Sequence, residues 1–193
     1  MATVPSVLTL GPEDHGRLLT AEEFAGAIYA EPWKYEREQG SLIVMPPDGP
    51  GHDDCSEPVR DLLGAYRLAH PNQVEKVGCD AWVRVDEGTD CIGDIGVFLA
   101  GPRSSVERPE RIPEPMFEIV SPDRKSRDRD DVKKRHEYHR LGVLEYVVID
   151  RFRHRATIDS AGPRGYRKRV LRPGDAYAGP LLPGLAVPLA GLL

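Results

Sequence analysis

Two short apolar runs, GDIGVFLA from Gly93 and PMFEIVSP from Pro115, constrain this chain more than any other feature. Each is strand-length and bounded by Gly or Pro, the pattern of a buried strand rather than a helix. Each also carries one acid among apolar neighbours: Asp94 opens the first run and Glu118 sits inside the second. Carboxylates are rarely buried unless a cation or a metal meets them. A strand-end solvent contact or a salt bridge explains either acid alone. Two acids on two sheet strands ask for a shared cation.

The rest of the chain supplies a frame around those runs. Residues 1–18 read as a loosely packed lead-in, and 19–193 as one domain. Thr20 and Glu23 form a capping box ahead of Phe24, Ala27 and Ile28, which predicts a helix over 21–30. KYERE and SLIVM flank Gln39-Gly40, a hairpin signature, with Glu36 and Glu38 on one face of the first strand. Helical spacing of Val59, Leu62, Leu63, Tyr66 and Ala69 predicts a helix over 53–69, with Pro58 in its first turn and His52 just ahead of it. Residues 74–86 alternate as a strand. A helix over 128–141, stopped by Gly142, lies between PMFEIV and LEYVVID. That order predicts a β-α-β crossover in a mixed α/β layout with one central sheet. A hairpin and a docked C-terminal tail close the chain.

Composition narrows the function. With 30% charged and 40% hydrophobic residues, the chain reads as an ordinary globular protein. No apolar run reaches the ~18 residues of a membrane span. No secretion signal is visible, and three cysteines without CxxC spacing fit free thiols, so a cytoplasmic protein is expected. His52 and Cys55 form a lone HxxC with no second half-site, which does not make a zinc site. Net charge is −5, yet residues 121–172 hold 16 Lys/Arg against 8 Asp/Glu. That basic half fits local docking on a phosphate backbone, or simply a solvated face.

A hydrolytic Mg²⁺ site needs hard oxygen ligands and a nearby cation. Asp94 and Glu118 can supply the ligands, and Glu36 from the hairpin a third. A lysine near the attacking water would orient it and offset charge on the phosphate.

KYEREQGSLIVMPP, GH before a helix, GDIGVF, FEIVSP, a D…K…Y helix, GVLEYVVID and PLLPGL follow one another in an order that resembles the bacterial Uma-type family. That family is assigned to the PD-(D/E)xK superfamily of endonucleases, and the resemblance covers about residues 19–192. It implies a restriction-endonuclease-like core, a mixed sheet flanked by helices, with an N-terminal helix and hairpin. It implies metal binding by Asp94, Glu118 and Glu36, with Mg²⁺ or Mn²⁺ as cofactor. His52 matches a family histidine before the long helix. Lys134, four residues before Tyr138, matches a helix lysine that replaces the missing one of the D/E-x-K element, with Lys125 as second choice. The chain departs from the pattern at Gly93, where proline is usual, and at Val120, the D/E-x-K lysine position. It departs again at Gln39 and Ser41, where acids are usual.

Three readings follow. The first is a DNA endonuclease with Asp94, Glu118, Lys134 and Glu36 catalytic. In that reading His52, Lys125, Arg127, Arg129 and Lys133 meet nucleic acid, with the arginines of 164–172 also on phosphates. A homodimer would let two sites cut two strands. The second is a catalytically silent relative that binds nucleic acid or protein, which Gly93, Gln39 and Ser41 favour. The third is an unrelated α/β protein whose acids pair with its many arginines.

Overall fold

The computed structural model describes residues 7–101, 112–122 and 129–193, with side chains from 132 onward in the last segment. It divides into two compact units, residues 1–47 with 82–92, and residues 48–81 with 93–193. Two long strands, β5 (Val74–Asp86) and β6 (Thr89–Leu99), run through both.

The first unit begins with β1 (Thr9–Leu10), which pairs in parallel with β2 (Ile28–Tyr29). Leu10 is fully buried beside Leu19, Phe24, Tyr35 and Leu42, so residues read as a loose lead-in supply part of this core. Helix α1 (Ala21–Gly26) has the expected cap: the Glu23 amide donates to Thr20 Oγ1 at 3.1 Å and the Thr20 amide to Glu23 Oε2 at 2.8 Å. It ends before residue 30 because Ile28 N–H and Ala30 N–H are taken by the carbonyls of Leu8 and Leu10. Strands β3 (Lys34–Glu38) and β4 (Ser41–Met45) form the hairpin, Gln39 and Gly40 turning at φ of 50° and 84°. Two successive positive φ values are what a tight hairpin turn requires. Strand β3 also pairs with the early part of β6 through Arg37 and Asp90.

The second unit is a mixed sheet between two helical layers. Its strands are β6, β7 (Met116–Ile119), β8 (Glu145–Asp150), β9 (Arg155–Ser160) and β10 (Arg167–Leu171), adjacent in that order. Only β7 and β8 run parallel, as the intervening helix requires. Helix α2 (Pro50–Ala69) is longer than its sequence suggests. Pro50 stands in its first turn and Pro58 lies inside it, so His52 belongs to the first turn rather than to the preceding loop. Val59, Leu63 and Tyr66 of α2 share one core with Phe117, Ile119, Val147, Ile149 and Ile158 of the sheet. Leu182, Leu185, Val187, Leu189 and Leu192 of the tail join the same core. On the other face, a π-helical turn (Arg129–Lys134) leads into α3 (Arg135–Leu141), which Gly142 ends at φ 82°. Tyr138 of α3 is fully buried, its ring edge-on to Tyr146 at 4.9 Å.

Candidate active site

Register builds the centre of the site. Ile95 pairs with Phe117 and Gly96 with Met116 across antiparallel β6 and β7. One residue further on Asp94 and Glu118 are neighbours, at the point where the ladder gives way to side-chain contacts. The backbone ties them together: the Asp94 amide donates to Glu118 Oε2 at 3.4 Å, and the Ile119 amide donates to Asp94 Oδ2 at 2.7 Å. Glu118 is 2% exposed.

Lys134 closes on this pair from the helical layer. Its Nζ donates to Glu118 Oε1 at 2.8 Å, and the side chain is as buried as the acid it meets. Lys134 is the last residue of the π turn. Such turns shift side-chain register and are frequent at functional sites. Next to it, Arg135 pairs with Asp159 and reaches Thr157 Oγ1 at 3.2 Å, pinning the same turn to β9. Val120 is buried with no charge to offer, so the lysine comes from the helix and not from β7.

His52 takes a different place from the one its sequence suggests. It is 4% exposed, which removes it from the surface a nucleic acid would touch. Its Nε2 lies 3.0 Å from Asp94 Oδ2 and its Nδ1 3.5 Å from Asp48 Oδ2. Cys55 faces elsewhere, its thiol directed to the Leu192 carbonyl at 3.6 Å. Burial pushes that thiol up to about 11, which leaves it a poor metal ligand.

Two acids that the sequence did not single out stand beside Asp94. One oxygen each of Asp48, Asp80 and Asp94 lies within 4.8 Å of the other two. Asp48 and Asp53 make a second such group with His52. Asp80 adopts a φ of 48° inside β5, a conformation unusual for a side-chain-bearing residue in a strand. The Asp48–Asp80–Asp94 group offers only carboxylate oxygen, which fits a hard divalent cation such as Mg²⁺ or Mn²⁺.

The remaining expected residues fall as follows. Glu36 belongs to the first unit, where it is buried and accepts the Ile92 amide at 2.9 Å. Lys133 is exposed. Lys125 and Arg127 lie outside the described residues, as does the side chain of Arg129. Gly93 has a packing reason: a Cβ there would sit 2.1 Å from Sδ of the fully buried Met116.

An acid pair on neighbouring sheet strands, met by a buried lysine from the turn before the crossover helix, sits on a restriction-endonuclease-like core. Over residues 21–190 the chain matches the family Uma2, described as "Putative restriction endonuclease". The chain therefore belongs to the Uma2 family. Its fold is shared with a crystal structure described as a "putative nuclease belonging to DUF820" from Anabaena variabilis. That likeness has a TM-score of 0.69 at 18% identity, covering 90% of this chain and 97% of the other. No curated protein sequence matches the chain. Among the described residues, no helix is long and apolar enough to cross a membrane.

Proposed function

We propose that this chain is a divalent-cation-dependent endonuclease that hydrolyses phosphodiester bonds of DNA. The observation that carries the reading is the Asp94–Glu118–Lys134 cluster: two neighbouring carboxylates joined through backbone N–H groups, with a buried ammonium on one of them. Asp94 and Glu118 would hold Mg²⁺ or Mn²⁺, with Asp48 and Asp80 as further oxygen donors. Glu36, the third ligand that the family resemblance implies, rests on the sequence alone. When bound, the cation would lower the pKa of a water and offset charge on the phosphate.

The chain's own groups do the rest. The Ile119 N–H and His52 each fix Asp94 Oδ2, so the carboxylate is oriented before any ligand arrives. His52 is a positioning residue in this reading. Lys134 holds a positive charge beside Glu118 and is the group set to orient water and stabilise charge developing on the phosphate. Burial strengthens that interaction relative to water.

Cleavage of plasmid DNA in Mg²⁺ tests the reading. Lys134→Ala should lower the rate by roughly 10²-fold or more, the scale of one lost transition-state contact. Asp94→Asn should abolish it. Equal cleavage by the Lys134→Ala variant and the parent would remove the lysine from the mechanism. No cleavage by the parent would favour the silent, binding-only relative.

A further inference from the structure

The last strand of the second unit's sheet carries an unusual charge. Residues 160–174 contain Arg164, Arg167, Lys168, Arg169 and Arg172 and no acid. Four consecutive residues of β10, Arg167 to Val170, are exposed, so both faces of this strand meet solvent. Among the described residues, Arg164, Arg167, Lys168 and Arg172 carry no ion pair. Arg169 donates to the Ala178 carbonyl at 3.1 Å. The neighbouring acids are occupied: Asp159 by Arg135, and Asp175 by the Arg172 backbone amide at 2.7 Å.

The ladders place this strand relative to the site. Glu118 stands in one row with Val148, Thr157 and Val170, and Met116 in one row with Tyr146, Asp159 and Lys168. Lys168 therefore leaves the same sheet face as Glu118. Three strand spacings separate β7 from β10, about 14 Å at ~4.8 Å each. That is close to the ~12 Å width of the major groove of B-DNA. The approach to β10 is also fixed to the helix that follows Lys134. Tyr166 stacks on His139 of α3 at 3.6 Å, and its hydroxyl donates to the Val143 carbonyl at 2.6 Å.

We infer that β10 and its flanking arginines form a phosphate-binding strip that holds the backbone of duplex DNA while the scissile bond lies at Asp94, Glu118 and Lys134. The inference rests on the nuclease reading for its partner. Cations on an edge strand also discourage strand pairing between molecules, and the test separates that simpler role. Five strand residues span about 17 Å, the length of roughly five phosphates along one DNA strand.

The test uses the full chain with Arg164→Gln, Arg167→Gln, Lys168→Gln and Arg172→Gln combined. Binding to a fluorescent 20-base-pair duplex is measured in metal-free buffer from 50 to 200 mM salt, with the melting temperature as fold control. Each lost phosphate contact lowers the log–log salt slope by about 0.9. The variant's slope should therefore be shallower by between three and four, so the parent loses about 10²-fold more affinity across that range. Each single substitution should remove about 0.9, which keeps the test usable if the combined variant fails to fold. Equal slopes and affinities overturn the strip and leave β10 as a guarded edge. If Mg²⁺-dependent cleavage, abolished by Asp94→Asn, persists in the parent in that case, the nuclease reading stands without the strip. If the parent binds through the strip but cleaves nothing in Mg²⁺, the strip stands and the nuclease reading fails.

Discussion

Each unit of this protein buries a carboxylate against a cation, and the two clusters are built differently. In the first unit, Asp90 is fully buried and two guanidiniums close on it, Arg37 at 2.7 Å and Arg84 at 3.0 Å. Arg37 also donates to the carbonyls of Leu19 and Glu87 at 3.1 and 2.7 Å, so it welds three segments together. In the second unit, one ammonium meets Glu118, and the neighbouring Asp94 groups with Asp48 and Asp80. Two guanidiniums on one acid make a knot. Carboxylate oxygens of Asp48, Asp80 and Asp94 within 4.8 Å of one another make a geometry that a cation fits. Buried charge alone is therefore no guide to function, whereas its arrangement is.

The largest effect should come from breaking the knot. Arg37→Met leaves Asp90 short of its main partner and should lower unfolding free energy by about 3–5 kcal/mol. Urea unfolding measures it, and the deficit relative to the parent should be the same with and without Mg²⁺. Lys134→Met removes the partner of Glu118 and should also destabilise the metal-free protein. Here the deficit should shrink when Mg²⁺ is added, because Glu118 without its ammonium attracts the cation more strongly in the variant than in the parent, and each tenfold gain in affinity adds about 1.4 kcal/mol of stability. Equal responses of the two variants to Mg²⁺ would erase the distinction between the clusters.

A smaller effect tests how tightly the second cluster is packed. Gly93→Ala forces a methyl group onto the buried Met116 side chain and should cost about 1–3 kcal/mol. Adding Met116→Ala should relieve that clash, visible as a coupling between the two changes in a double-mutant cycle. Additive losses would mean that Met116 is not what holds position 93 to glycine.

These clusters were unevenly legible in the sequence. Asp94 and Glu118 stood out because each interrupts an apolar run of strand length. The hairpin at Gln39-Gly40 and the Thr20–Glu23 cap were equally plain, since turns and caps depend on local chemistry. The start of α2 was not, because Pro58 looks like a first-turn proline while Pro50, eight residues earlier, occupies that position. His52 was misplaced with it. Asp48 and Asp80 were missed for a related reason: one lies in the short loop before α2 and the other at a positive φ within a strand, and isolated acids in such settings look solvated. The π turn leaves no pattern in RDDVKK that distinguishes it from an ordinary helical turn. Lys134 was reached through its spacing from Tyr138 in the family, and its bond to Glu118 is a property of the fold.

The most direct measurement is calorimetric titration of Mn²⁺ into the parent and into Asp94→Asn, with the thermal unfolding midpoint of each as a fold control. The account predicts saturable binding by the parent and binding weakened by more than tenfold in the variant, which loses a charged ligand but keeps the same shape. Unchanged binding in a folded Asp94→Asn protein, or no binding by the parent, would contradict the claim that this cluster holds a divalent cation.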